Sequence, residues 1–193
     1  MPSGKTHDRI TLWSLPWIVV LTILTTRSGE LALIVGASFL FSGLMFGPDL
    51  DIYSIQFKRW GYLRYLWLPY QKLLRHRSVF SHGIIIGTVG RLIYLGICIA
   101  IVGIFATAVA QLIWGFTWNW QTFAENSVRQ VINVYPYEAI AAFLGLELGS
   151  LSHSLSDVIG SAYKRWQKHG LTGIFPKSKG KQKKRRKSSR RRK

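Results

Sequence analysis

Cysteine is almost absent from this 193-residue chain, and acid is scarce. With Cys98 alone, neither a disulfide framework nor a thiolate zinc site can form. Set inside an apolar block, Cys98 reads as a small packing residue. Only eight Asp and Glu stand against 26 Lys and Arg, a formal net charge of +18. There is no Gly-x-Ser-x-Gly segment, so the nucleophile elbow of a serine hydrolase is missing. The length allows one domain, or one domain with a tail. What is present is unevenly spread. Apolar blocks alternate with basic, aromatic-rich ones, which is a membrane pattern.

Four apolar blocks are expected to span: residues 10–26, 31–47, 84–118 and 136–158. Thr6 or Asp8 would cap the first, and Pro16 would fall in its opening turns. A basic start before an apolar run also suits a signal peptide, but Thr25-Thr26-Arg27-Ser28-Gly29 offers no small-x-small cleavage site. The first two blocks form a hairpin about the turn at Arg27–Glu30. At roughly 1.5 Å per residue each reaches about 25 Å, within the range of a span. The block 84–118 exceeds one ordinary span. It is expected to be one long tilted helix with Arg91 snorkelling to the interface, or a helix broken at Gly87, Gly90 or Gly96. In the fourth block Glu138 and Glu147 should face the bundle interior, and Gly145, Gly149 and Ser150 offer a small face for close packing.

Between the blocks lie two further kinds of segment. Residues 55–77 interleave Lys58, Arg59, Arg64, Lys72, Arg75 and Arg77 with Trp60, Tyr62, Tyr65, Trp67 and Tyr70, which suits the lipid headgroup layer. Residues 119–135 are polar and read as an external loop, with room for a short helix. The predicted fold is therefore all-α. It is a polytopic membrane helical bundle of about four transmembrane helices, with an interfacial amphipathic segment. Residues 1–176 form the membrane-embedded domain, and 177–193 form a disordered polybasic tail. Anionic membrane lipid is the expected partner of that tail, and any nucleic-acid contact would be unspecific.

Four spans put both termini on one side. Apart from Arg91, every Lys and Arg except Arg27 and Arg129 then falls on that side, which the positive-inside rule makes cytoplasmic. The same topology gathers the metal-type residues. His7 and Asp8 open the first span, Asp49 and Asp51 close the second, His76 and His82 lead into the third, and His153 and Asp157 close the fourth. Imidazole and carboxylate together suit a divalent ion such as Zn, Mn or Fe. His153 and Asp157, at i and i+4, share a helix face. Asp49 and Asp51, at i and i+2, share a face only in extended geometry. Adjacent His7 and Asp8 diverge, so one would ligate and the other support. The expected metal ligands are His7, Asp49, Asp51, His76, His82, His153 and Asp157. Ser78, Ser81, Ser152, Ser154 and Ser156 would cap helices or steady the ligands, and His169 is a bystander. A plainer reading stands beside this one: Pro48-Asp49-Leu50-Asp51 is also a turn with a helix cap.

The segments Ser3–Arg9, Gly47–Asp51, His76–Ser78 with Ser81–Gly83, and Leu151–Asp157 together resemble a bacterial family of uncharacterised metal-binding membrane proteins. That family is related to inner-membrane metal-dependent hydrolases. The resemblance covers roughly residues 1–166 and implies a membrane-embedded helical fold with a bound metal. Two functions follow. One is a metal-dependent hydrolase at the cytoplasmic face of a plasma membrane, with Asp8 or Asp51 as base and Arg77, helped by Arg75, holding a phosphoester. The other is a non-catalytic membrane protein whose metal or polar network ties the helix ends, while its basic face binds anionic lipid or a protein. A transporter fits less well, because the metal-type residues sit at one face.

Overall fold

The computed structural model describes residues 4–74 and 78–170. Among these, every regular element is helical. Helix α1 runs Gly4–Thr26 and α2 runs Gly29–Leu44. The turn between them passes through Arg27 at φ 55°. Ser28 caps α2 by accepting from the Leu31 N–H, and Glu30 lies in the first turn, where the helix dipole favours a negative charge. A 3-10 turn, Pro48–Asp51, follows. Then come α3 (Ile55–Arg59), a 3-10 stretch Gly61–Trp67, α4 (Leu68–Leu73), α5 (Val79–His82), α6 (Ile86–Trp114), α7 (Trp120–Asn133) and α8 (Pro136–His169).

Three helical stretches, Thr6–Thr26, Gly29–Asp51 and Ile86–Trp114, are long and apolar enough to cross a membrane. A fourth crossing is available if α7 and α8, bent by 87° at their junction, count as one span. Large apolar side chains of α1 and α6 are left uncovered, among them Trp13, Trp17, Ile99, Phe105 and Leu112. Such faces are compatible with a lipid environment. By contact the chain divides into two compact units, Pro2–Ser156 and Asp157–Lys193. Within the described part of the second, the notable packing is Tyr163 against Trp166.

Close helix approach in the first unit depends on missing side chains. A Cβ on Gly145 would meet the Val35 carbonyl oxygen at 2.5 Å, and one on Gly149 would meet that of Phe39 at 2.6 Å. These glycines let α8 lie directly on the backbone of α2, as the small-residue face predicts. The apolar core sits beside the polar helix ends. It consists of Phe46, Leu50, Phe57, Trp67 and Tyr70, flanked by Trp60, Leu74, Tyr94, Leu95 and Leu146. Burying each large side chain contributes about 1.5–3 kcal/mol.

Several expectations change. Helix α1 begins at Gly4, so neither Thr6 nor Asp8 caps it, and Pro16 lies well inside it. The residues after Pro48 form a 3-10 turn rather than an extended link. Of the two readings of block 84–118, the single long helix holds, with no break at Gly87, Gly90 or Gly96. Arg91 does not snorkel. It is fully buried, because Ser81, Thr88 and Ser150 supply acceptors for its guanidinium. The aromatic stretch after residue 55 is divided: Trp67 and Tyr70 turn into the core, whereas Tyr62 and Tyr65 are exposed. Residues 119–135, expected as a loop, are mostly helix, capped by Asn119 through the Thr122 N–H.

Candidate metal centre

Four chain segments deliver imidazoles and carboxylates to one place. Helix α1 brings His7 on its first turns, the 3-10 turn brings Asp49 and Asp51, α5 brings His82, and α8 brings His153. The turn exists because Gly47 and Pro48 end α2 and start a tighter helix, with proline at a position that needs no N–H. A Cβ at Gly47 would press on the end of the Gln56 side chain, which would have to shift.

His153 is the centre of the arrangement. It is 3% exposed, and its ring stacks on His7 at 4.0 Å between centroids. Its Nε2 lies 3.2 Å from Asp49 Oδ2. That nitrogen is nevertheless buried without a hydrogen bond. Its other nitrogen, Nδ1, is 3.5 Å from the Gln56 amide nitrogen, which itself donates to the Gly43 carbonyl. Gln56 therefore sits where it influences which nitrogen of His153 carries hydrogen. His7 Nδ1 lies 2.5 Å from Ser156 Oγ, which in turn donates to the His153 carbonyl.

His82 lies on the other side of the turn. Its Nε2 is 3.7 Å from Asp49 Oδ1 and its Nδ1 is 3.8 Å from Asp51 Oδ2. Ser81 Oγ is 2.9 Å from the same Nδ1. The elbow that carries His82 is held from beneath. Ile85 adopts φ 65°, a costly conformation for a β-branched residue, and its N–H donates to Glu147 Oε1 at 2.9 Å. Buried Arg91 donates to the Ser81 carbonyl at 3.0 Å. Nearby, burial pushes the Tyr70 hydroxyl up to about 12, so it stays protonated at physiological pH.

The donor set fits a divalent cation. An imidazole nitrogen facing a carboxylate oxygen without a hydrogen bond is an arrangement that a shared cation satisfies. A cavity of about 20 Å³ opens among His7, Asp49, Gln56 and His153, with Asp8 and Gly43 also on its wall. One water-sized occupant needs roughly 10–15 Å³ of such space.

The structure brings together His7, Asp49, Asp51, His82 and His153. Asp157 is buried one helical turn beyond His153 on α8 and begins the second unit. Asp8, expected as a base, is instead held bidentate by Arg59, at 2.6 and 2.9 Å. His76, Arg75 and Arg77 lie outside the described residues, as do the His169 side chain and the basic tail. Ser78 makes no side-chain cap bond, although Ser81 and Ser156 do touch histidines. Sequence reasoning missed Gln56 altogether. It also placed Glu147 in the interior without foreseeing that it supports the His82 elbow.

A family model described as "Uncharacterized metal-binding protein (DUF2227)" matches residues 2–167. A protein of Aquifex aeolicus (strain VF5), named only "Uncharacterized protein", is 36% identical over 61 residues, which is 31% of this chain and 43% of that relative. The match therefore spans less than half of the relative's length. No solved structure matches the chain significantly.

Proposed function

Because the chain belongs to this family of uncharacterised metal-binding proteins, we propose that the cluster around His153 is its metal centre and that it serves a hydrolase at a membrane face. The observation that carries the reading is His153 Nε2, buried without a hydrogen bond and 3.2 Å from Asp49 Oδ2. His7, His153 and Asp49 would hold the ion. Ser156, which donates to the His153 carbonyl, would accept from His7 Nδ1 and so orient that imidazole, as outer hydrogen-bond partners commonly do in metal sites. When bound, a divalent ion supplies a Lewis acid for a phosphoryl or acyl oxygen and makes water nucleophilic near neutral pH. With Asp8 tied to Arg59, Asp51 is the better candidate for base; its carboxylate is buried beside His82.

A site flanked by apolar helices and basic, aromatic residues favours a lipid-borne phosphoester, with anionic lipid bound by the basic face and the 177–193 tail. The proposed location is a bacterial plasma membrane with both termini cytoplasmic. The competing reading is an ion that only ties the helices, and the burial of His7 and His153 favours it.

Elemental analysis of untagged protein purified in detergent without chelator tests the centre. Stoichiometric Zn, Mn or Fe is expected in wild type, and its loss in His153→Ala. Wild type without metal removes the proposal. A metal-loaded protein inactive against a panel of phosphoesters leaves the structural reading.

A further inference from the structure

We propose that Asp49 is a bridging carboxylate, and that with His82 it forms a second cation position beside the one at His153. This rests on the metal-binding reading above and goes beyond it in number of ions and in the role of His82.

The two oxygens of Asp49 address different imidazoles. Oδ2 faces His153 Nε2 at 3.2 Å, and Oδ1 faces His82 Nε2 at 3.7 Å. Oδ1 is itself buried without a hydrogen bond, as is His153 Nε2. A carboxylate chelating one ion would want both imidazoles on one shared position. Imidazoles on separate oxygens instead suit a carboxylate whose two lone-pair sets serve two ions.

The other nitrogen of His82 is already engaged. Ser81 Oγ lies 2.9 Å from Nδ1 and Asp51 Oδ2 lies 3.8 Å from it. This is how a metal-binding imidazole is commonly oriented, with one nitrogen held by oxygen and the other presented to the ion. The fold also commits strained backbone and buried charge to placing this one histidine. Ile85 at φ 65° is anchored by Glu147, and Arg91, wholly buried, holds the Ser81 carbonyl.

The two positions differ in access. The His153 side chain is 3% exposed, while those of Asp49 and His82 are 17% and 15% exposed. The His82 position is therefore the one nearer solvent. That predicts an exchangeable ion there, with coordination left for water and substrate. In this arrangement the His153 ion is the retained one and the His82 ion is the reactive one.

Manganese(II) is the probe, because neighbouring Mn(II) ions couple magnetically and isolated ones do not. Full-length protein in detergent is stripped with chelator, titrated with Mn(II) and read by electron paramagnetic resonance and bound-metal analysis. Wild type should bind two ions per chain, the second more weakly, and give an exchange-coupled spectrum. His82→Ala should lose the weaker ion and the coupling while keeping one ion with the hyperfine pattern of an isolated site. Asp49→Asn should lose the coupling. One uncoupled ion in wild type overturns the second position but leaves the metal centre standing. No bound ion overturns both. Two coupled ions retained in His82→Ala overturn the assignment of this histidine. The wild-type measurement decides the matter even where a variant fails to fold.

Discussion

At the scale of residues, His7 and Asp8 are neighbours in sequence with different fates. On α1 they point about 100° apart, so His7 reaches His153 while Asp8 meets Arg59. The Asp8–Arg59 pair is partly exposed, and such pairs contribute about 0.2–1 kcal/mol. Arg59→Ala should therefore lower thermal stability only slightly and leave metal content at the wild-type level, as read by denaturation and elemental analysis on one preparation. Loss of metal in that variant would mean that Asp8 belongs to the centre. Much of the site was readable at this scale, because histidine and aspartate are conspicuous at the ends of apolar blocks. Gln56 and Ser156 were not. An amide or hydroxyl leaves no pattern in sequence, and each gains meaning only from a partner 97 or 149 residues away. Arg91 misled for a related reason. Hydropathy prices a lone arginine as a charge seeking water, and nothing local announces the acceptors at Ser81, Thr88 and Ser150 that satisfy it inside.

At the scale of elements, the apolar blocks located the helices but not their ends. Helix α1 starts six residues before its apolar block, because polar residues at Gly4–Arg9 are equally able to wind when their side chains have partners elsewhere in the fold. Likewise α8 continues past the apolar stretch to His169, since lysine, arginine and glutamine propagate a helix about as well as leucine does. The glycine face on α8 was legible from its i, i+4 spacing, and it carries a prediction. In Gly149→Val the Cβ would sit 2.6 Å from the Phe39 carbonyl and 2.7 Å from the Ser42 Cβ, so α2 and α8 must separate. The expected cost is about 1–3 kcal/mol, the usual penalty of overpacking. Gly96 on α6 has nothing within 4 Å, so Gly96→Ala should be neutral or stabilise by up to roughly 1 kcal/mol. Unfolding of the two variants in a common detergent compares them, and equal stabilities would mean that α8 does not pack on α2 as described.

At the scale of the whole molecule, the proposed fourth crossing is supported by how α8 runs. Gly145 packs on Val35 and Ser38, and Gly149 packs on Phe39 and Ser42, so the two contacts advance along both helices together. Helix α8 is therefore parallel to α2. Helix α2 climbs from the turn at Arg27 toward the metal-type residues, and α8 must climb the same way from Pro136 to His153. Those 17 residues rise about 25 Å, close to the depth of a bilayer core, as α6 does in the opposite sense from His82. In the proposed arrangement a membrane placed across α1, α2 and α6 would be crossed a fourth time by α8. An even number of crossings would return the C-terminus to the side of the N-terminus, as the proposed cytoplasmic location of both requires. A reporter that fluoresces only in the cytoplasm should be bright when fused after Lys193 and dark when inserted between Trp118 and Trp120. A dark C-terminal fusion would mean three crossings. That would set His153 on the opposite face from Asp49, which their 3.2 Å approach does not allow, and would therefore bring down the metal centre together with the topology.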